Sequence, residues 1–163
     1  MQEMTRTHSC GELTAADEGK EAVLMGWVNR RRDHGQLVFI DLRDREGITQ
    51  VVLHPERDAD AHQQAKTLRS EFVIAVRGKV SRRETDLINP NLKTGEIEVD
   101  VEQVEVLSEA KTTPFPIEDD ITTSEDLRLK YRYLDLRRPQ MQANFHLRHQ
   151  VMMAIRSYMD RLG

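Results

Sequence analysis

The stretch GWVNRRRDHGQLVFIDLRDREGITQVVLH, residues 26–54, decides how this chain folds. Successive side chains of a strand point to opposite faces. Over 36–43 that alternation puts Val38, Ile40 and Leu42 together and leaves Leu37, Phe39, Asp41 and Arg43 opposite them. Over 47–54 it groups Thr49, Val51 and Leu53 against Ile48, Gln50 and Val52. A further strand precedes these at 22–32, ending in Arg30, Arg31 and Arg32. Asp33-His34-Gly35 and Asp44-Arg45-Glu46-Gly47 have the length and glycine content of hairpin turns.

Working outward, residues 58–70 are rich in Ala, Gln and Lys without a β-branched run, which predicts a helix with Asp58 as its N-cap. Two more strands are predicted at 72–83 and 96–106. Three strands, a helix and two strands is the order of an OB-fold, a five-stranded Greek-key barrel of the all-β class. Another small barrel or a sandwich carrying one helix is the alternative at this point. The predicted organisation is an OB-fold over 1–108, a linker or hinge over 109–138, and a helical segment over 139–163. Pro114, Pro116 and a run of Thr and acids mark the linker, and a short helix is predicted from Ser124 to about Tyr133. Pro139 suits the first position of the last helix, on which Leu147, Val151, Ile155, Tyr158, Met159 and Leu162 form an apolar stripe.

Apolar residues make up 38% of the chain and charged residues 32%, as in a folded protein with a heavily charged surface. The net charge of −4 conceals segregation. Arg30 to Arg32 and the span from Arg69 to Arg83 are basic, whereas Glu96 to Asp126 is acidic with only Lys111 against it. Neither a spanning apolar run nor a secretory leader is present, so the cytoplasm is the expected compartment. Cys10 is the single cysteine and reads as a small buried or half-buried residue rather than a reactive thiol.

On the outer face of the second strand, Phe39 either packs beneath a loop or helix or serves as a platform for an unstacked base. Gln50 could stand beside it, and its amide both donates and accepts, as a Watson–Crick edge requires. Arg30 and Arg32 share a face and can bind phosphates or bases, although an arginine run is often only a solvated surface. Glu96, Glu98 and Asp100 point outward, most simply as a solvated face, although one such carboxylate could accept from a base amino group. No catalytic or metal-binding constellation is legible. His146 and His149 lack a third ligand, Asp119 and Asp120 lack an acid–base partner, and no glycine-rich phosphate loop exists.

The run from Gly26 to Gly47, together with Leu129-Lys130-Tyr131-Arg132-Tyr133-Leu134-Asp135-Leu136-Arg137-Arg138-Pro139, closely resembles the bacterial aspartyl-tRNA synthetases. Lysyl-tRNA synthetases share the Arg-Tyr-Leu-Asp-Leu core, whereas the triple arginine and Arg137-Arg138-Pro139 are similar to the aspartyl branch. The resemblance implies an OB-fold gripping the tRNA anticodon loop, a hinge, and the start of a class II catalytic domain. It implies anticodon contacts at Arg30, Arg32, Phe39 and Gln50, and further ones at Arg69, Arg83 and Glu98. His34 stands where many members carry leucine, which resembles the type that also charges asparagine tRNA. The full-length enzyme would use ATP and magnesium and form a homodimer through the helix begun at Pro139. This chain is expected to hold no catalytic residue, metal or cofactor of its own. A free-standing OB-fold binder of single-stranded nucleic acid is the competing reading, and a dimerisation module built on 139–163 is a third.

Overall fold

The computed structural model describes residues 4–163, which divide into two compact units meeting between Thr112 and Thr113. In the first unit five strands close into a barrel in the order β1-β2-β3-β5-β4: β1 (Glu21–His34), β2 (Leu37–Arg43), β3 (Ile48–Leu53), β4 (Val73–Arg82) and β5 (Ile97–Ser108). All neighbours are antiparallel except β3 and β5, which run parallel. This is the OB-fold, with helix α1 (Ala59–Ala65) between β3 and β4.

Strand β1 serves two partners because it is long. Glu21 to Trp27 pair with β4, and Trp27 to His34 pair with β2. The sharp curl passes Gly26, where an added Cβ would come within 2.4 Å of the Arg43 carbonyl oxygen. The β1–β2 loop is the two-residue turn Gly35-Gln36, with Gly35 at φ 61°, the left-handed region that only glycine enters without cost. The alternation read from sequence holds on β2: Val38, Ile40 and Leu42 are buried, while Leu37, Phe39, Asp41 and Arg43 are half-buried on the outside.

The barrel interior is filled by Leu24, Val28, Ile40, Leu42, Val51, Leu53, Ile74, Val76, Val99 and their neighbours, with Ala61, Ala65 and Leu68 contributed from the helical connection. Asp58 caps α1 as expected, its Oδ1 accepting from the Ala61 N–H at 2.8 Å. The helix ends at Ala65, five residues before the predicted end at residue 70. Residues 66–72 instead turn back onto β1: Glu71, at φ 67°, donates its N–H to the Val28 carbonyl, and Arg31 bonds the carbonyls of Lys66 and Leu68. Cys10 is fully buried, its N–H on Asp44 Oδ2 and its carbonyl accepting from Thr49 Oγ1. Burial, and then the neighbouring Asp44 carboxylate, push its thiol pKa well above the ordinary range.

A β-bulge at Asn29 interrupts β1. Val28 pairs with Leu42, but it is Arg30 that pairs with Asp41, so two residues of β1 oppose one of β2. Without it, Arg30 and Arg32 would have the parity of Leu24 and Val28 and point into the core. The bulge is held by Arg43, whose Nη1 donates to Asn29 Oδ1 at 2.6 Å and whose Nη2 donates to Glu71 Oε1 at 2.7 Å. Both members of that ion pair are largely covered, at 15% and 7% side-chain exposure.

In the second unit lie α2 (Glu125–Lys130), α3 (Arg132–Asp135) and α4 (Pro139–Leu162). The stretch expected to be a linker is not loose throughout, because Phe115 and Ile117 are buried with Leu134 in a small core. The single short helix expected to about Tyr133 is split at Tyr131 into α2 and α3. Asp135 is fully buried and accepts from Arg138 Nε at 2.7 Å and from Arg132, with Arg128 at 3.9 Å. Asp119 accepts from the Gln140 N–H in the first turn of α4, which neutralises an otherwise unsatisfied helix-end donor. Leu147, Val151, Ile155, Tyr158, Met159 and Leu162 of α4 are exposed.

Deleting one member of a buried ion pair costs about 3–5 kcal/mol. Arg43→Met is therefore expected to lower stability by about 3 kcal/mol in urea denaturation. A loss within about 0.5 kcal/mol, the range of ordinary surface substitutions, would show that Arg43 does not hold the bulge.

Candidate nucleic-acid interface

Past the bulge, β1 presents Arg30, Arg32 and His34 outward, opposite Asp41, Phe39 and Leu37 of β2. On β3, Gln50 lies opposite Asp41 and Val52 opposite Phe39, both covered, at 8% and 1% exposure. Phe39 therefore stands between Arg32 and Val52, and Gln50 lies one cross-strand pair along rather than directly beside the ring. Phe39 is half-buried, neither enclosed in the core nor standing fully in water.

Four strands and the end of the fifth join in one polar array beside that ring. Arg32 Nη2 donates to Asp41 Oδ1 at 2.9 Å and to Gln50 Oε1 at 3.0 Å. Gln50 Nε2 donates to Glu98 Oε2 at 2.8 Å. Arg83, just past β4, sits 3.8 Å from the same Glu98 oxygen and donates its Nε to the Ile97 carbonyl at 3.0 Å. A guanidinium only donates and a carboxylate accepts, so these two partners dictate which end of the Gln50 amide faces which way. Beyond these two bonds the Gln50 amide keeps one N–H and one lone pair, on a residue only 8% exposed.

Exposure separates the roles of these side chains. Arg30 is exposed and has no hydrogen bond or ion pair among the described residues, whereas Arg32 is 46% exposed and anchored. Arg31 is engaged elsewhere, its guanidinium donating to the Lys66 and Leu68 carbonyls and to the Asp33 carboxylate. Arg83 lies under the surface at 5% side-chain exposure, with its Nη2 buried and without a hydrogen bond. Desolvation pulls its pKa down, opposed by Glu98 and Asp41. Arg69 is exposed in the connection from α1 to β4, and among the described residues no hydrogen bond or ion pair ties its side chain to the array. Pairs as exposed as Arg32–Asp41 contribute about 0.2–1 kcal/mol, so the array's effect is orientation more than stability.

Two readings from sequence are corrected. Glu98 and Asp100 are not a freely solvated face: Glu98 is held by Gln50, and Asp100, 9% exposed, pairs with His54 at 3.1 Å and Arg57 at 3.2 Å. Sequence reasoning also missed Asn29, Arg43 and Glu71, and gave Asp41 no role. Asp41 alone left a trace, as an acid on the same strand face as Phe39.

Residues 22–107 match the family described as OB-fold nucleic acid binding domain, and residues 124–163 match tRNA synthetases class II (D, K and N). The chain is 58% identical over 158 residues to an aspartate--tRNA(Asp/Asn) ligase of Moorella thermoacetica, covering 97% of this chain and 26% of that protein. It is 55% identical over 158 residues to the protein of the same name in Syntrophotalea carbinolica, with the same coverage. An asparaginyl-tRNA synthetase structure from Pyrococcus horikoshii superimposes with a TM-score of 0.81 at 29% identity, over 98% of this chain and 36% of that one. The chain thus spans about a quarter of the length of the curated relatives it matches.

Proposed function

Since this chain belongs to the family of OB-fold nucleic acid binding domains, we propose that its outer face over β1, β2, β3 and β5 reads the anticodon loop of a tRNA for an aspartate–tRNA ligase. The observation that carries the proposal is Phe39: a half-buried ring on the outside of a closed barrel, flanked by Arg32 and adjoining a glutamine whose orientation is already set. An unstacked base laid on the ring would meet the remaining donor and acceptor of Gln50. Arg30 would neutralise phosphate beside it. Arg83 and Glu98 support Gln50 from beneath, and Arg69 meets the RNA from the flank.

The reaction proposed for the whole enzyme is ATP-dependent attachment of aspartate to tRNA, in the cytoplasm, by a homodimer whose subunits meet through α4. Names of the relatives and the class II match over residues 124–163 support this reading. Among the described residues no three His, Cys, Asp or Glu gather to hold a metal ion, and ATP and magnesium belong to the proposal for the whole enzyme. Both are assigned to the catalytic part of the whole enzyme. Among the described residues no helix is long and apolar enough to cross a membrane. A general single-strand binder would need the ring and the cations, but has no use for an amide fixed between two partners.

Phe39→Ala is expected to weaken binding of the aspartate anticodon stem-loop by about 1–3 kcal/mol, the worth of one stacked base. The circular dichroism spectrum should stay intact, since the ring lies outside the core. Unchanged affinity in a folded variant would remove the stacking role.

We extend the proposal to asparagine tRNA. His34, at the end of the same face beside the Gly35-Gln36 turn, is assigned to the third anticodon base, which distinguishes the two tRNAs. Stem-loops ending in C and in U are expected to bind within about tenfold, or 1.4 kcal/mol, of each other. A markedly stronger preference for C would assign the chain to aspartate tRNA alone.

A further inference from the structure

A surface that meets a polyanion gains nothing in affinity from a carboxylate at its centre, yet Asp41 is there. It is opposed by Arg30 on one side and Gln50 on the other, and it takes Arg32 from the diagonal. Its side chain is only 17% exposed, so it is poorly placed to touch RNA itself. What it touches is Arg32 Nη2, the same nitrogen that donates to Gln50 Oε1 at 3.0 Å. With both hydrogens of Nη2 engaged, the guanidinium cannot swing toward a phosphate without giving up two partners. Its remaining N–H groups are presented from a fixed plane, and much of its charge is offset locally.

We propose that Asp41 is a specificity-determining positioning residue: it holds Arg32 as a directional donor to a base edge and prevents it from acting as a general phosphate-binding cation. This rests on the reading of the face as the anticodon-binding surface. Phosphate contacts give affinity without sequence information, whereas base contacts discriminate. Removing the carboxylate should therefore trade selectivity for salt-sensitive, indiscriminate binding. Gln50 would lose orientation at the same time, since its oxygen depends on Arg32 staying in place.

The test is fluorescence anisotropy of the aspartate anticodon stem-loop and its single-base variants, over a range of salt, with the unmodified chain, Asp41→Asn, Arg32→Gln and the double substitution. Asn is isosteric and the site lies outside the core, and thermal unfolding checks that each variant is folded. For Asp41→Asn, cognate affinity is expected within about threefold of the unmodified chain while discrimination falls about tenfold. The slope of log affinity against log salt should steepen by about 0.7, one additional phosphate on a single strand. In the Arg32→Gln background Asp41→Asn should change nothing further, because its effect travels through that guanidinium. Full discrimination in Asp41→Asn, or a uniform loss of affinity at unchanged salt slope, would overturn the role of Asp41 alone. Should Asp41→Asn not fold, equal selectivity in Arg32→Gln and the unmodified chain would overturn it by showing that Arg32 does not discriminate. Absence of base selectivity in the unmodified chain would instead sink the anticodon reading, and this role with it.

Discussion

The outward face of this barrel exists because β1 carries one residue too many at Asn29. A strand that alternated without interruption would send Arg30 and Arg32 inward with Leu24 and Val28, two guanidinium groups into an apolar interior. Burying even one unpaired charge is far more costly than the bulge. The bulge shifts the parity by one, and Arg43 secures it by bonding the Asn29 side chain and the Glu71 carboxylate. Glu71 in turn belongs to the connection that returns from α1 and donates its N–H to Val28, the residue just before the bulge. The kink in the strand, the short helix and the basic outer surface are one linked solution.

From that parity follows a division between affinity and discrimination. In the proposed anticodon reading, stacking on Phe39 would be tolerant of sequence, and so would the charge of Arg30. The bonded row Asp41, Arg32, Gln50 and Glu98 is not, because each group limits which atoms its neighbour can present. Individually these contacts are modest in energy, since most are partly exposed to water. Collectively they set the surface's hydrogen-bonding pattern in advance, which in the proposed function would reduce the ordering that RNA binding requires.

Much of this was legible in the residues and some was not, for identifiable reasons. The faces of β2 and β3 follow from period two because both strands are regular, and so Phe39 and Gln50 were placed on the outer face from the chain alone. Asp58 as a cap and Cys10 as a buried residue needed only local chemistry. The bulge left no such trace, since an inserted residue alters register without altering composition. Glu98 and Asp100 read as a solvated face because strand alternation assigns a side, not a depth, and what holds them comes from Gln50 on another strand and from His54 and Arg57. The end of α1 was overestimated because residues 66–70 favour helix, while the bonds that stop it reach to Val28 and Arg31, far away in sequence.

The most direct measurement of the central claim is an NMR titration of the isotope-labelled chain with the aspartate anticodon stem-loop. Saturation transfer from the RNA is expected at the Phe39 ring and the side chains of Arg30, Arg32 and Gln50, with the outer face of β4 at Arg77 and Lys79 silent. Transfer concentrated on β4, or absent from Phe39, would contradict the account.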